Sequence, residues 1–170
     1  SVVHRQAVCC NLSIVKTLTW SDETDTAAFA VQLAAALQRV RLHACIALEG
    51  DLGAGKTTLV RHLLRELGVQ GRIKSPTYAV VEPYSVDSGD VWHFDFYRFS
   101  DPREWEDAGF RDIFAGPGLK LMEWPDKVGQ RLPAPDWQLH IEAEDEISRR
   151  VQLRAGTARG AQWLETWRAA

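Results

Sequence analysis

Apolar positions along the chain change their period several times, and the changes divide it into alternating strands and helices. Leu12–Trp20 mixes polar residues with Ile14, Val15, Thr17 and Thr19, a composition that predicts a first strand. Ser21 is placed to cap a helix whose first turn holds Asp22, Glu23 and Asp25. Phe29, Leu33 and Leu37 then recur at every fourth position, which predicts a helix running to about Arg39. Ala44–Leu48 is a short apolar run suited to a buried strand, ending at Glu49–Gly50. From Lys56 the period returns to that of a helix, with Leu59, Leu63, Leu64 and Leu67 on one stripe and Gly68 as the stop.

The second half reads mostly as strands. Tyr78–Val86 and Val91–Phe99 flank a turn at Asp87–Asp90 and predict an antiparallel pair. Asp101–Ala108 has the acidic start of a helix, and Leu119–Glu123 is a strand stopped by Trp124–Pro125. Trp137, Leu139, Ile141 and Ala143 alternate with polar residues, as do Val151, Leu153 and Ala155, so the acidic turn Glu144–Glu146 lies inside a hairpin. A last helix over Ala158–Arg168 would gather Trp163, Leu164 and Trp167 on one face. This order predicts a single α/β domain over residues 12–170, with a mixed, partly antiparallel sheet flanked by helices. Residues 1–11 carry no period and are expected to form a flexible N-terminal extension.

Composition narrows the classes. With 45% hydrophobic and 25% charged residues among 170, the chain can bury a core and has the balance of one ordinary domain. A formal charge of −3 supplies no broad positive field, which argues against a role in coating nucleic acid. Cys9, Cys10 and Cys45 show no CxxC spacing, so neither zinc nor a disulfide framework is expected. No run approaches the roughly 18 apolar residues of a membrane span, and the expected location is the cytoplasm.

The strongest chemical signal is Gly50-Asp51-Leu52-Gly53-Ala54-Gly55-Lys56-Thr57. It has the P-loop spacing and falls between a predicted strand and a predicted helix, where that motif has its meaning. Glycines let the loop wrap a phosphate with main-chain N–H groups pointing inward, and the helix behind it adds its positive end. Lys56 is placed to reach the β- and γ-phosphates, Thr57 to ligate Mg²⁺ and Thr58 to contact the α-phosphate region. Mg²⁺ usually takes one or two carboxylates in addition. Glu123 ends a strand, where its carboxylate would lie beside the loop, although a surface glutamate before proline would look the same. Asp95 lies within the aromatic stretch His93–Arg98, where a buried carboxylate needs a metal or a partner such as Arg98. Ser75-Pro76-Thr77-Tyr78 stands where a γ-phosphate-sensing loop would be, and is also ordinary turn chemistry.

Together, Gly50-Asp-Leu-Gly-Ala-Gly-Lys-Thr-Thr58, Lys74-Ser-Pro-Thr-Tyr78, Val81-Glu-Pro-Tyr84, His93-Phe-Asp-Phe-Tyr-Arg98, Asp101-Pro-x-Glu104 and Glu123-Trp-Pro125 resemble one family, the TsaE (YjeE) ATPases. The resemblance covers about Trp20 to Arg150 and leaves the far C-terminus unplaced. It implies a P-loop NTPase fold, ATP and Mg²⁺ as ligands, and an ATPase that supports bacterial synthesis of threonylcarbamoyladenosine at adenosine 37 of tRNA. The transfer itself would be performed by a partner, TsaD, acting with TsaB, so that tRNA is engaged indirectly. Carried onto this chain, the resemblance implies phosphate and metal contacts by Lys56 and Thr57, a second metal contact by Glu123, and a carboxylate required for hydrolysis at Asp95. It points loosely to Thr24 and Arg150 as adenine contacts. The alternatives are a small-molecule kinase and a non-catalytic adaptor. A kinase would usually carry an arginine-bearing lid, which is not identifiable here. A guanine-specific switch lacks its Asn-Lys-x-Asp segment.

Overall fold

In the computed structural model, residues 15–76, 80–101, 103–107 and 109–167 are described. The expected N-terminal extension and Thr77 and Tyr78 of the expected sensing loop lie outside them. The chain runs β1 (Val15–Trp20), α1 (Glu23–Arg39), β2 (Ala44–Glu49), α2 (Lys56–Leu67), β3 (Val81–Val86), β4 (Gly89–Asp95), α3 (Glu104–Asp107), α4 (Phe110–Ala115), β5 (Leu119–Glu123), β6 (Trp137–Ala143), β7 (Arg149–Ala155) and α5 (Ala158–Thr166). All seven strands form one sheet in the order β1-β7-β6-β2-β5-β4-β3. Strands β6, β2, β5 and β4 are mutually parallel, while β7 and β3 run against their neighbours. The sheet is therefore mixed, with antiparallel pairs at both margins, as the alternating patterns predict.

Strand alternation sorts side chains onto two faces. One face carries Ile46 and Leu48 of β2, Leu119 and Leu121 of β5, Leu139 and Ile141 of β6, and Val151 and Leu153 of β7, packed with residues of α1, α2 and α5 in one core. The other carries Ala47, Phe94 and Met122 in a second core with Phe96, Phe99, Trp105, Phe110 and Val128. Helices thus cover both faces of the central strands. In α2, Leu59, Val60, Leu63, Leu64 and Leu67 are all buried, and burial of such a side chain contributes about 1.5–3 kcal/mol.

The amino end of the central strands is held by Asp136. Its amide donates to the Cys45 carbonyl at 2.8 Å, and its carboxylate accepts from the Cys45 amide (2.9 Å), the Thr157 hydroxyl (2.7 Å) and the Arg159 guanidinium (2.9 Å). These bonds fix the start of β2 to the β6 entrance and to the first turn of α5.

Several elements differ from the sequence pattern. Asp22, not Ser21, caps α1: its Oδ1 accepts from the amides of Thr24 (2.9 Å) and Asp25 (3.3 Å), while the Ser21 amide donates back to Asp25 Oδ2 at 2.8 Å. Strand β4 stops at Asp95 instead of continuing to Phe99, because Asp95 Oδ1 takes the Tyr97 amide and the chain turns Phe96 and Phe99 into the second core. The helix expected over Asp101–Ala108 is shortened to α3. Glu104 Oε1 accepts from the Ser100 hydroxyl (3.0 Å) and Asp101 amide (3.3 Å), and Gly109, at φ 72°, breaks the chain before α4 begins. Helix α5 ends at Thr166, with Leu164 and Trp167 buried and Trp163 half-buried.

Candidate functional site

Five strands, β1, β6, β2, β5 and β4, point their carboxyl ends at the same edge of the sheet. The Gly50–Thr57 loop leaves β2 there, between β5 and β6. Gly50 (φ 146°) opens the loop against β6, where a Cβ would stand 2.3 Å from the Ile141 carbonyl oxygen, so only glycine permits this approach. Gly53 and Gly55 also hold positive φ, at 80° and 108°, and Gly55 leads directly into α2. Asp51, Leu52 and Gly53 are exposed at the tip, Ala54 is buried, and Thr57 and Thr58 lie half-buried in the first turn of α2.

Lys56 folds back over this loop. It is only 5% exposed, its Nζ donates to the carbonyls of Gly50 and Asp51, and it lies 4.3 Å from the centroid of the Trp124 ring. Burial holds its ammonium below the ordinary lysine value, with Glu123, Asp95 and Asp51 pulling the other way. Trp124 follows β5 with φ 56°, in left-handed backbone, and its ring also packs against Tyr97 at 5.0 Å between centroids.

Glu123 and Asp95 face each other in the β4–β5 register, and alternation places them on the side of the sheet covered by α2. Glu123 is 3% exposed; its Oε1 lies 3.4 Å from Thr57 Oγ1, and its Oε2 is bonded to His93 Nε2 at 2.7 Å. Asp95 is half-buried, and burial raises its carboxyl above the usual aspartate value, partly offset by the bond from the Tyr97 amide. Lys56, Thr57, Glu123 and Asp95 are thus brought together from three separate elements, α2, β5 and β4.

Thr24 and Arg150 stand apart from that group. Thr24 is exposed in the first turn of α1, at the same sheet edge, with its amide held by Asp22. Arg150 is exposed and paired with Glu144 (3.1 Å), on the face of β7 opposite the Val151–Leu153 side of α2 and α5 by one residue of alternation. Its neighbour Arg149 takes the inner side: Nε donates to the Ala54 carbonyl at 2.8 Å, and Nη1 donates to the carbonyls of Asp145 and Ser148. Arg149 ties the loop to the β6–β7 turn. Alternation with Val151, Leu153 and Ala155 already assigns Arg149 to the inner face and Arg150 to the outer one, whereas the approach of the inner arginine to the Gly50–Thr57 loop is set by the β2–β6–β7 pairing. His93 is the second residue that sequence reading passed over. Its signal was present, since His93 and Asp95 are two apart and share a strand face.

The chemistry of this donor set fits a magnesium–triphosphate pair. The loop offers glycine-permitted main-chain amides at a helix N-terminus, one ammonium, and two hard oxygens, Thr57 Oγ1 and Glu123 Oε1, on neighbouring sides of one space. No group of three or more His, Cys, Asp or Glu able to hold a metal occurs among the described residues, and a site completed by substrate oxygens and water does not need one. Among the described residues no helix is long and apolar enough to cross a membrane.

Comparison with known proteins yields concordant matches. A family model described as "Threonylcarbamoyl adenosine biosynthesis protein TsaE" matches residues 20–151. A Haemophilus influenzae protein named tRNA threonylcarbamoyladenosine biosynthesis protein TsaE is 45% identical over 113 residues, covering 66% of this chain and 71% of that one. The Bacillus subtilis protein of the same name is 34% identical over 110 residues, 65% and 68% of the respective chains. The crystal structure of Bacillus subtilis YdiB superposes with a TM-score of 0.66 at 28% identity, over 89% of this chain and 96% of that one.

Proposed function

The chain belongs to the TsaE family, and on that premise we propose that it binds and hydrolyses Mg·ATP in support of threonylcarbamoyladenosine formation on tRNA. In this reading it acts on TsaB and TsaD, in the cytoplasm, and does not perform the transfer itself. The observation that carries the proposal is the meeting of Lys56, Thr57, Glu123 and Asp95 around a glycine loop at the carboxyl edge of β2, β4 and β5.

The loop amides from Asp51 to Thr58 hold the phosphates, and Lys56 exchanges the Gly50 and Asp51 carbonyls for phosphate oxygens. Thr57 and Glu123 would hold Mg²⁺, which would supply charge neutralisation for the phosphates. Asp95 stands on the adjacent strand with one oxygen engaged by the Tyr97 amide, leaving the other to orient the attacking water. Phosphoryl transfer asks the protein mainly for position and charge stabilisation, and these groups supply both. Thr24 and Arg150 remain the proposed adenine contacts at the same edge, with Arg149 closer to the loop.

Phosphate release by the purified chain, alone and with TsaB, TsaD and tRNA, tests the reading. Lys56→Ala is expected to abolish nucleotide binding or turnover. Asp95→Asn is expected to lose at least tenfold in turnover while keeping ATP affinity within about threefold. Unchanged turnover in Lys56→Ala, or phosphate release that requires a metabolite acceptor, would overturn the assignment, the second in favour of a kinase.

A further inference from the structure

His93 takes no part in the reading given so far, yet it is the most enclosed ionisable side chain at the site. It is 1% exposed, and its Nε2 lies 2.7 Å from Glu123 Oε2. Its other nitrogen, Nδ1, is buried without a hydrogen-bond partner among the described residues. Glu123 as a carboxylate can only accept, and a buried N–H is rarer to leave unmade than a lone pair, so the ring hydrogen belongs on Nε2. The two oxygens of Glu123 are therefore unequal. Oε2 is occupied by a short bond inside the protein, and Oε1 alone faces Thr57 Oγ1.

We propose that His93 is a positioning residue that makes Glu123 a one-oxygen metal ligand and thereby favours Mg²⁺ over Ca²⁺. The inference rests on the reading of Thr57 and Glu123 as the metal-binding pair. Mg²⁺ requires near-octahedral coordination at about 2.1 Å with single oxygens, whereas Ca²⁺ takes six to eight oxygens and readily uses both oxygens of one carboxylate. Because the Oε2–His93 bond is buried, turning the carboxylate to present both oxygens would strand the imidazole N–H away from water. The β4–β5 pairing places Phe94 and Asp95 opposite Met122 and Glu123 in a parallel ladder, so the backbone holds His93 and Glu123 in fixed relation. Outer-sphere partners of this type typically change metal affinity by about 10–100-fold when removed.

The test uses the full chain and fluorescent ADP, titrated in EDTA and then with Mg²⁺ or Ca²⁺ at fixed nucleotide. His93→Phe keeps a ring and removes the donor; His93→Gln returns an N–H near the position of Nε2. In His93→Phe the Mg²⁺ needed for half-saturation is expected to rise about tenfold or more, and that of Ca²⁺ much less, with metal-free ADP affinity unchanged. His93→Gln is expected to recover most of the Mg²⁺ preference. An unchanged Mg²⁺-to-Ca²⁺ ratio in His93→Phe overturns the inference, as does an equal loss in His93→Gln, which would make the residue a packing element only. If His93→Phe does not fold, His93→Asn, whose amide is one bond too short, replaces it in the comparison with His93→Gln, and equal ratios again overturn the inference. Failure of the underlying functional reading looks different: the unmodified chain would take up no ADP in any of the three media.

Discussion

Replacing Gly50 by alanine separates the loop's shape from its charges, because neither residue carries a functional group. An added Cβ would stand 2.3 Å from the Ile141 carbonyl oxygen and 3.1 Å from Ala54 Cβ. Contacts of that kind keep about 3 Å or more, so loop and β6 must part by roughly 0.7 Å, against backbone rather than a yielding side chain. The positive φ adds a second strain, since an L-residue at 146° lies outside its usual regions. Together these cost about 2–4 kcal/mol, which for a chain of this length lowers the melting temperature by roughly 5–15 °C. The same displacement moves the amides that would face phosphate, and ADP·Mg affinity is expected to fall about 10–100-fold. Calorimetric titration with ADP·Mg and thermal melting read the two effects. Gly89→Ala is the control, with a comparable positive φ of 143° and nothing nearer than 3.7 Å to the added Cβ, so it suffers the conformational strain alone, about 1–3 kcal/mol. ADP affinity within twofold of the parent in Gly50→Ala, or equal destabilisation by Gly89→Ala, would refute the argument from close approach.

Asp136→Ala removes the acceptor for the Cys45 amide, the Thr157 hydroxyl and the Arg159 guanidinium; because the Arg159 side chain is 41% exposed and can turn to water, the loss is put at about 2–4 kcal/mol, read as a fall in melting temperature of roughly 5–15 °C. Burial, reinforced by Asp136, pushes the Cys45 thiol up to about 12 from 9.0. Native Cys45 should therefore resist iodoacetamide at pH 8 and react once the chain is unfolded, as peptide mapping would report. Between pH 9 and 12 the unfolded chain has released a proton that the native one retains, so this group's contribution to stability is full below pH 9 and declines as pH rises, which alkaline denaturant titration of Cys45→Ser against the parent measures.

The elements that sequence reading places well are those whose pattern is local. Helix α2 begins at Lys56 and ends at Leu67 as the leucine stripe and Gly68 predict, and β5 occupies Leu119–Glu123 as its apolar run predicts. What local pattern does not hold is adjacency. Strand β5 comes 69 residues after β2 ends, yet lies beside it with Leu48 opposite Glu123, and only that pairing sets the carboxylate against Thr57. The meeting of Arg149 with the Ala54 carbonyl, and the capture of Glu123 Oε2 by His93, likewise follow from register between strands distant in sequence. Helix α4 leaves no mark in the sequence because six residues hold too few turns to show a period, and Gly109 before it reads as an ordinary stop.

The same register makes the charges of the site interdependent. Around the buried ammonium of Lys56 stand Glu123, Asp95, Asp51 and Asp126, four carboxylates acting on one ammonium whose hydrogens go to the main-chain carbonyls of Gly50 and Asp51. A polyphosphate entering without metal would meet that excess of negative charge at short range and in partly buried surroundings, where screening is weak. A divalent cation between Thr57 and Glu123 would cancel most of that excess and supply the phosphates with a second positive contact. Nucleotide and metal are therefore expected to strengthen each other's binding by the same factor, as linkage requires. Glu123→Gln should shrink that factor from both directions, weakening Mg²⁺ dependence while improving metal-free ADP binding. An unaltered metal-free affinity in that variant would show that the carboxylate does not repel the nucleotide, and would remove the electrostatic basis for coupling argued from Lys56 and its neighbours.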